Sequence, residues 1–391
     1  MLNRTVLALT LLLLGAAAGA QQYYYKLNFD LSAKDFADTL AIDVEQGRVY
    51  VPVTIGNRDY RFMLDTGASM SGIYSDEHID GSHTQGHITS HDANGQTYAT
   101  PVVSLPPVRL GRLTLTNYHA NVVSRPPTAR GADGILGFDI FNKGIVGKID
   151  TRRRRLILTD RKKLFDDEPG YEARYRLQNH VPCVTLSPFD GYEEPVRFDT
   201  GDRSFYALSR LSYDAALNGS PAEVQRQVEG RTHGSQRMSH YGAETSDVVT
   251  ALFLDALRWG GHTFSSVRTL TTQGRSTIGA RLLDYGTVII NPKRRQLVFQ
   301  PYDDGRLTVV DNRLPDIYYV PLHGMASVGL VWEDSEPYRQ GFRQGDIILQ
   351  INDTPIRSFH QFTAFPFIKG MTYTLTLRDK EGRDKQVRLT R

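Results

Sequence analysis

Two stretches of the chain repeat one another: Arg61-Phe62-Met63-Leu64-Asp65-Thr66-Gly67-Ala68-Ser69 and Val196-Arg197-Phe198-Asp199-Thr200-Gly201. In each, a strand-like apolar run ends on Asp-Thr-Gly, a triplet that makes a turn. One such triplet is an ordinary turn, whereas two with matching flanks mark a duplicated unit. The repeat continues downstream. Leu110-Gly111-Arg112-Leu113-Thr114-Leu115 is echoed by Trp259-Gly260-Gly261-His262-Thr263-Phe264, and Ile135-Leu136-Gly137 by Thr277-Ile278-Gly279. Asp150 to Leu158 aligns without gaps on Asn291 to Phe299. The expected fold is mainly β, with two related lobes that each deliver one aspartate at the end of a strand.

The local pattern agrees. Short apolar runs from Val49 to Leu64, broken by Gly56-Asn57, read as a hairpin leading into Asp65. Tyr98 to Val123 reads as strand and turn, punctuated by Pro106-Pro107 and Gly111. Val146 to Leu158 reads as a closing hairpin whose tip, Arg152 to Arg155, is a solvated turn rather than a nucleic-acid patch. The second copy carries an extra polar, Ala-containing segment, Leu208 to Val228, with helical character. Tyr302 to Asp316 reads as a linker, and the remainder forms a separate domain with a helix near Ser358 to Phe365 and strands at Tyr373 to Leu377 and Gln386 to Leu389.

Paired aspartates at strand ends suit general acid and base catalysis. Desolvation raises a carboxyl pKa, and a second carboxylate at hydrogen-bond distance raises one of the two further, so the pair shares a proton. The ionised member takes a proton from water while the protonated member donates to a substrate carbonyl, and no metal or cofactor is needed. Gly67 and Gly201 let backbone N–H groups approach the carboxylates, and Thr66 and Thr200 have hydroxyls able to cross-bond the two turns.

These motifs resemble the aspartic proteases of the pepsin and retropepsin group over about residues 25 to 303. Asp65-Thr66-Gly67-Ala68-Ser69 matches the family pattern fully and Asp199-Thr200-Gly201 matches its core. The resemblance implies two β lobes forming a cleft, Asp65 and Asp199 as the catalytic pair, and a polypeptide substrate. It also implies a flap, for which Gly81 to Gln96 is the candidate in the first lobe and Arg231 to Glu244 its counterpart. Residues from about Leu314 to Arg391 resemble a PDZ domain, on the strength of Gly345-Asp346-Ile347-Ile348-Leu349-Gln350-Ile351-Asn352 and the apolar-Gly-apolar run Val328-Gly329-Leu330. That resemblance implies a peptide-binding loop at Val328, Gly329 and Leu330. The organisation expected is a signal peptide (1–20), first lobe (21–168), second lobe (169–303), linker (304–316) and PDZ-like domain (317–391), similar to bacterial exported aspartyl proteases with a C-terminal PDZ domain.

One departure bears on chemistry. Asp202 and Arg203 follow the second Gly where family members have a small residue. A third carboxylate favours protonated forms of the dyad unless Arg203 or another cation neutralises it, and Ala68 offers no hydroxyl to an ionised dyad. Activity is therefore expected nearer neutral than strongly acidic pH. The alternatives are a protease-derived peptide-binding protein whose second site Asp202 has spoiled, and a chain catalytic only in its Asp65 lobe that self-associates.

Met1 to Ala20, with Arg4, an apolar run from Val6 to Leu14 and Ala18-Gly19-Ala20, reads as a cleaved secretory signal, so an exported protein, periplasmic or secreted, is expected. No other run is apolar enough to span a bilayer, and a soluble monomer is expected. The 46 basic and 43 acidic residues among 391 leave too small an excess to imply nucleic acid. Cys183 is the sole cysteine, so no internal disulfide forms, and its apolar setting reads as a buried thiol. His83, His87 and His91 are four residues apart but lack a helical pattern, so a solvated flap is preferred to a metal site.

Overall fold

The computed structural model of the chain describes residues 22–91, 96–126, 129, 131–239, 242–303 and 305–391. The signal-like stretch Met1 to Ala20 lies outside them. In the first lobe, Arg48–Ile55 and Arg58–Leu64 pair antiparallel with Ile55 opposite Arg58, closing the hairpin at Gly56-Asn57. Val49, Val51, Val53 and Ile55 alternate into the core with Tyr60, Phe62 and Leu64, the two-residue period of a strand. Strand Gly134–Leu136 then lies parallel to Phe62–Leu64 and antiparallel to Gly72–Tyr74.

The second lobe repeats this arrangement. Thr277–Gly279 lies parallel to Arg197–Asp199 and antiparallel to strand Tyr206–Ser209. In both lobes, therefore, the aspartate follows a strand wedged beside the later apolar-apolar-Gly element. The two closing hairpins meet across the lobe boundary: Val146–Asp150 pairs antiparallel with Gly286–Asn291, with Gly147 opposite Ile290. One apolar core runs through both lobes, from Leu64 and Leu136 to Phe198 and Ile278. Burial of these side chains, about 1.5–3 kcal/mol each, fixes how the lobes sit together.

The segment specific to the second copy forms helices Arg210–Gly219 and Pro221–Arg226, with Tyr213, Ala216 and Val224 turned inward. Cys183 is buried in strand Val181–Phe189, which pushes its thiol pKa up. The first-lobe flap candidate is a hairpin of His83–His91 and Thr97–Ser104, whose tip at 92–95 lies outside the described residues. Its three histidines sit along one strand, where a four-residue spacing amounts to roughly 13 Å, too far to share an ion. Among the described residues no three His, Cys, Asp or Glu side chains gather as a metal site, and no helix is long and apolar enough to cross a membrane.

Three expectations need correction. The linker reading of 304–316 fails because Leu307–Val309 pairs with His262–Ser265, Val310 enters the main core, and Asn312 bridges both backbone groups of Arg268. These residues are an edge of the second lobe. The C-terminal sheet runs in the order Ile317–Leu322, Met325–Val331, Ile347–Ile351, Thr372–Arg378, Asp384–Thr390, over its own core of Phe342, Ile348, Phe359, Phe362 and Leu375. Helix Phe359–Ala364 starts at Ser358, whose hydroxyl accepts from Gln361 N. Val328, Gly329 and Leu330 are not in a loop. They lie inside strand Met325–Val331, where Gly329 is the bulge in its pairing with Ile317–Leu322. Lastly, the counterpart flap segment is not a free loop but is seated on the C-terminal domain, where Ser235 N donates to Gly329 O at 2.9 Å.

Candidate active site

The two Asp-Thr-Gly turns face one another and are tied by four hydrogen bonds. Thr66 N donates to Thr200 Oγ1 at 3.1 Å and Thr200 N to Thr66 Oγ1 at 3.0 Å. The same hydroxyls donate onward to the opposite strand, Thr66 Oγ1 to Phe198 O at 2.8 Å and Thr200 Oγ1 to Leu64 O at 2.7 Å. Both threonines are fully buried, so every donor and acceptor here is satisfied inside the protein. Thr66, Gly67, Thr200 and Gly201 thus surround the two aspartates.

The carboxylates are held symmetrically. Asp65 Oδ1 accepts from Gly67 N at 2.9 Å and Ala68 N at 3.1 Å, and Asp199 Oδ1 from Gly201 N at 3.0 Å and Asp202 N at 3.2 Å. Each Gly also abuts the other lobe's aspartate. A Cβ on Gly201 would come within 2.6 Å of the Asp65 carboxyl carbon, and one on Gly67 would overlap the Asp199 carboxyl group. No side chain fits at either position, which is why the two carboxylates can meet.

Both aspartates are pushed above the usual carboxylate range, Asp65 to about 8. For Asp65 the causes are removal from water and then the charge of Asp199. For Asp199 they are burial and then the charge of Asp202, against the pull of Arg197 and Arg237. The two carboxyl groups face one another across the glycines, close enough for each to act on the other's protonation. Two carboxyl groups raised and coupled in this way can share a single proton, the state general acid and base chemistry needs.

Residues 51–140 match an aspartyl protease family model. The match takes in Asp65 and the Ile135-Leu136-Gly137 element but ends before the second lobe. No curated protein matches the chain. Solved structures similar to it include the aspartic proteinase from Irpex lacteus, at 14% identity and TM-score 0.43, covering 68% of this chain and 97% of that one. Basic 7S globulin from soybean is similar at 10% identity and TM-score 0.43, covering 68% and 94% respectively. Both likenesses are too distant to carry function.

Asp202, the departure noted in the sequence, is neutralised, though not by Arg203. Arg203 reaches Gln46 of the first lobe, 3.4 Å from Nη2 to Oε1. The partner of Asp202 is Arg237, whose Nη2 pairs with Oδ2 and also reaches Thr277 Oγ1 at 3.1 Å. Ser204 N and Thr277 Oγ1 donate to Asp202 at 2.8 and 2.9 Å. Burial works to raise Asp202, but Arg237 and these donors outweigh it and hold its carboxyl below the usual range. Sequence reasoning missed Arg237 and Thr277. Nothing local marks Arg237, which lies 35 residues from Asp202.

Proposed function

We propose that the chain is an aspartic endopeptidase with Asp65 and Asp199 as its catalytic residues. The observation that carries this reading is the meeting of two buried carboxyl groups across the threonine-tied turns. In the proposed cycle the dyad begins with one proton. The ionised carboxylate takes a proton from water as the oxygen attacks the peptide carbon, and the protonated carboxyl gives its proton to the carbonyl oxygen. The tetrahedral diol collapses as the protonated carboxyl passes its proton to the leaving nitrogen and the C–N bond breaks, while the other carboxylate takes the proton of one diol hydroxyl as the new carbonyl forms, which restores the singly protonated pair. Desolvation and the fixed backbone N–H groups lower the reorganisation the charges require.

The reading of Asp202 as a spoiled second site loses its physical basis, because Arg237 supplies the opposite charge. On the same proposal, Met1 to Ala20 directs export, one chain suffices as a monomer, and extended peptide adds to the C-terminal sheet along Ile317–Leu322, which among the described residues is an edge strand of that sheet. The test is a diverse peptide library incubated with the mature chain across pH and read by mass spectrometry. Cleavage is expected from the native chain and should be lost in both Asp65→Asn and Asp199→Asn. Cleavage that survives both substitutions contradicts the proposal.

A further inference from the structure

The segment carrying Arg237 spans two domains. Its start belongs to strand Val228–Gly234, which packs against strand Met325–Val331 of the C-terminal domain. Thr232 Oγ1 donates to Val331 O at 3.2 Å, and Ser235 N donates to Gly329 O at 2.9 Å. One residue beyond Arg237, Met238 packs against the C-terminal domain's own core. Beneath the segment, Leu330 is fully buried against Val249, Ala251 and Leu270 of the second lobe. Arg237 is thus the point where a strip anchored at both ends on the C-terminal domain touches the turn holding Asp199. The Gly329 bulge, which no peptide-binding loop accounts for, has this seating as its use.

We propose that the C-terminal domain is a brace for Arg237, a positioning residue, and that through the Arg237–Asp202 ion pair it sets the pH range in which the dyad works. This rests on the endopeptidase reading of Asp65 and Asp199. The groups facing the pair can be named. Asp202 faces Asp199 on its own turn, Arg237, and the neutral donors Ser204 and Thr277, while Arg197 acts on Asp199 from the strand before it. Arg203 is turned away to Gln46. On the Arg237 side, Glu244 accepts from Gln236 N at 3.3 Å and Arg237 N at 3.2 Å, and is itself held by Thr272 Oγ1 at 2.8 Å. Glu244 ties the strip to the second lobe, so the brace and the lobe act on the same backbone.

The sign follows from charge. With Arg237 in place, its charge offsets part of what Asp202 presents to Asp199. With Arg237 displaced, an unpaired carboxylate one turn from Asp199 favours the protonated dyad and moves its titration upward. The activity profile moves with it.

The full-length chain tests this with two readouts, the pH–rate profile for peptide cleavage and the carboxyl-carbon NMR titration of the dyad, which needs no turnover. Arg237→Gln is expected to move the acid limb upward by roughly one pH unit. Asp202→Asn should move it downward, and the double variant should return close to the native profile, a rescue that a merely structural role for Arg237 would not give. Two variants loosen the brace without touching the dyad. Leu330→Glu places a charge in the domain seam, and Gly234→Val drives a side chain into Leu330 and the Gly329 carbonyl. Either one, folded by circular dichroism, should shift the profile in the direction of Arg237→Gln. Folded brace variants with a native profile, or Arg237→Gln with a native profile, would overturn the proposal. Absence of cleavage by the native chain would count against the endopeptidase reading alone, and the dyad titration would then decide the brace by the same shifts.

Discussion

Thr66 and Thr200 each use both the backbone N–H and the side-chain hydroxyl to reach the other lobe. Thr200→Val keeps the shape but strands Thr66 N without its acceptor and Leu64 O without its donor. A loss of about 1–3 kcal/mol in urea unfolding is expected, with activity falling further because the carboxylates lose their fixed separation. Thr200→Ser, which keeps the hydroxyl, should recover most of both. The dyad also has a pH signature in stability. A carboxyl whose folded pKa is raised binds its proton more tightly in the native state, so it stabilises the fold less as pH rises from the ordinary carboxylate range towards the raised value. Asp65→Asn removes that loss. Its melting temperature relative to the native chain should therefore be higher at pH 8 than at pH 4, and a difference independent of pH would contradict the assigned direction.

The strand-end turns are supported by a second buried group. Asp139 opens the short helix Asp139–Asn142 just after Gly137, with Tyr118 Oη 2.7 Å from its Oδ2 and Ser71 Oγ 3.0 Å from its Oδ1. Ser71 Oγ also accepts from Gly137 N at 2.8 Å, tying the segment after Asp65 to the apolar-apolar-Gly element. Burial raises the Asp139 pKa to about 6, against the hydrogen bonds from Tyr118 and Ser71. Tyr118→Phe should cost about 1–3 kcal/mol in urea unfolding and should cost more at pH 8, where Asp139 is ionised and needs the donor, than at pH 4. The elements differ in how readily the sequence exposes them. The Asp65 and Asp199 turns are legible because their signal is local and occurs twice, so one copy vouches for the other. Val328 to Leu330 misled because an apolar-Gly-apolar run serves a strand bulge as well as a loop. The short apolar run Leu307 to Val310 looked like linker because its strand partner, His262–Ser265, lies far back in the chain.

Across the molecule, the paired hairpins at Val146–Asp150 and Gly286–Asn291 and the shared apolar core hold the two lobes in the register that brings the aspartates together. Phe198, fully buried and one residue before Asp199, belongs to that core. Phe198→Ala should destabilise the chain by about 3–5 kcal/mol. The pairing of Arg237 with Asp202 belongs to this scale too, since no stretch of sequence shows that the C-terminal domain holds a residue of the second lobe beside the site. On the proposed function, each lobe supplies one indispensable carboxylate to a single reaction. The most direct measurement is cleavage of the peptide library by the full-length chain with Asp65→Asn and Asp199→Asn introduced one at a time. Either substitution alone is expected to remove cleavage while the protein stays folded. Full activity in Asp199→Asn, with loss only in Asp65→Asn, would contradict it.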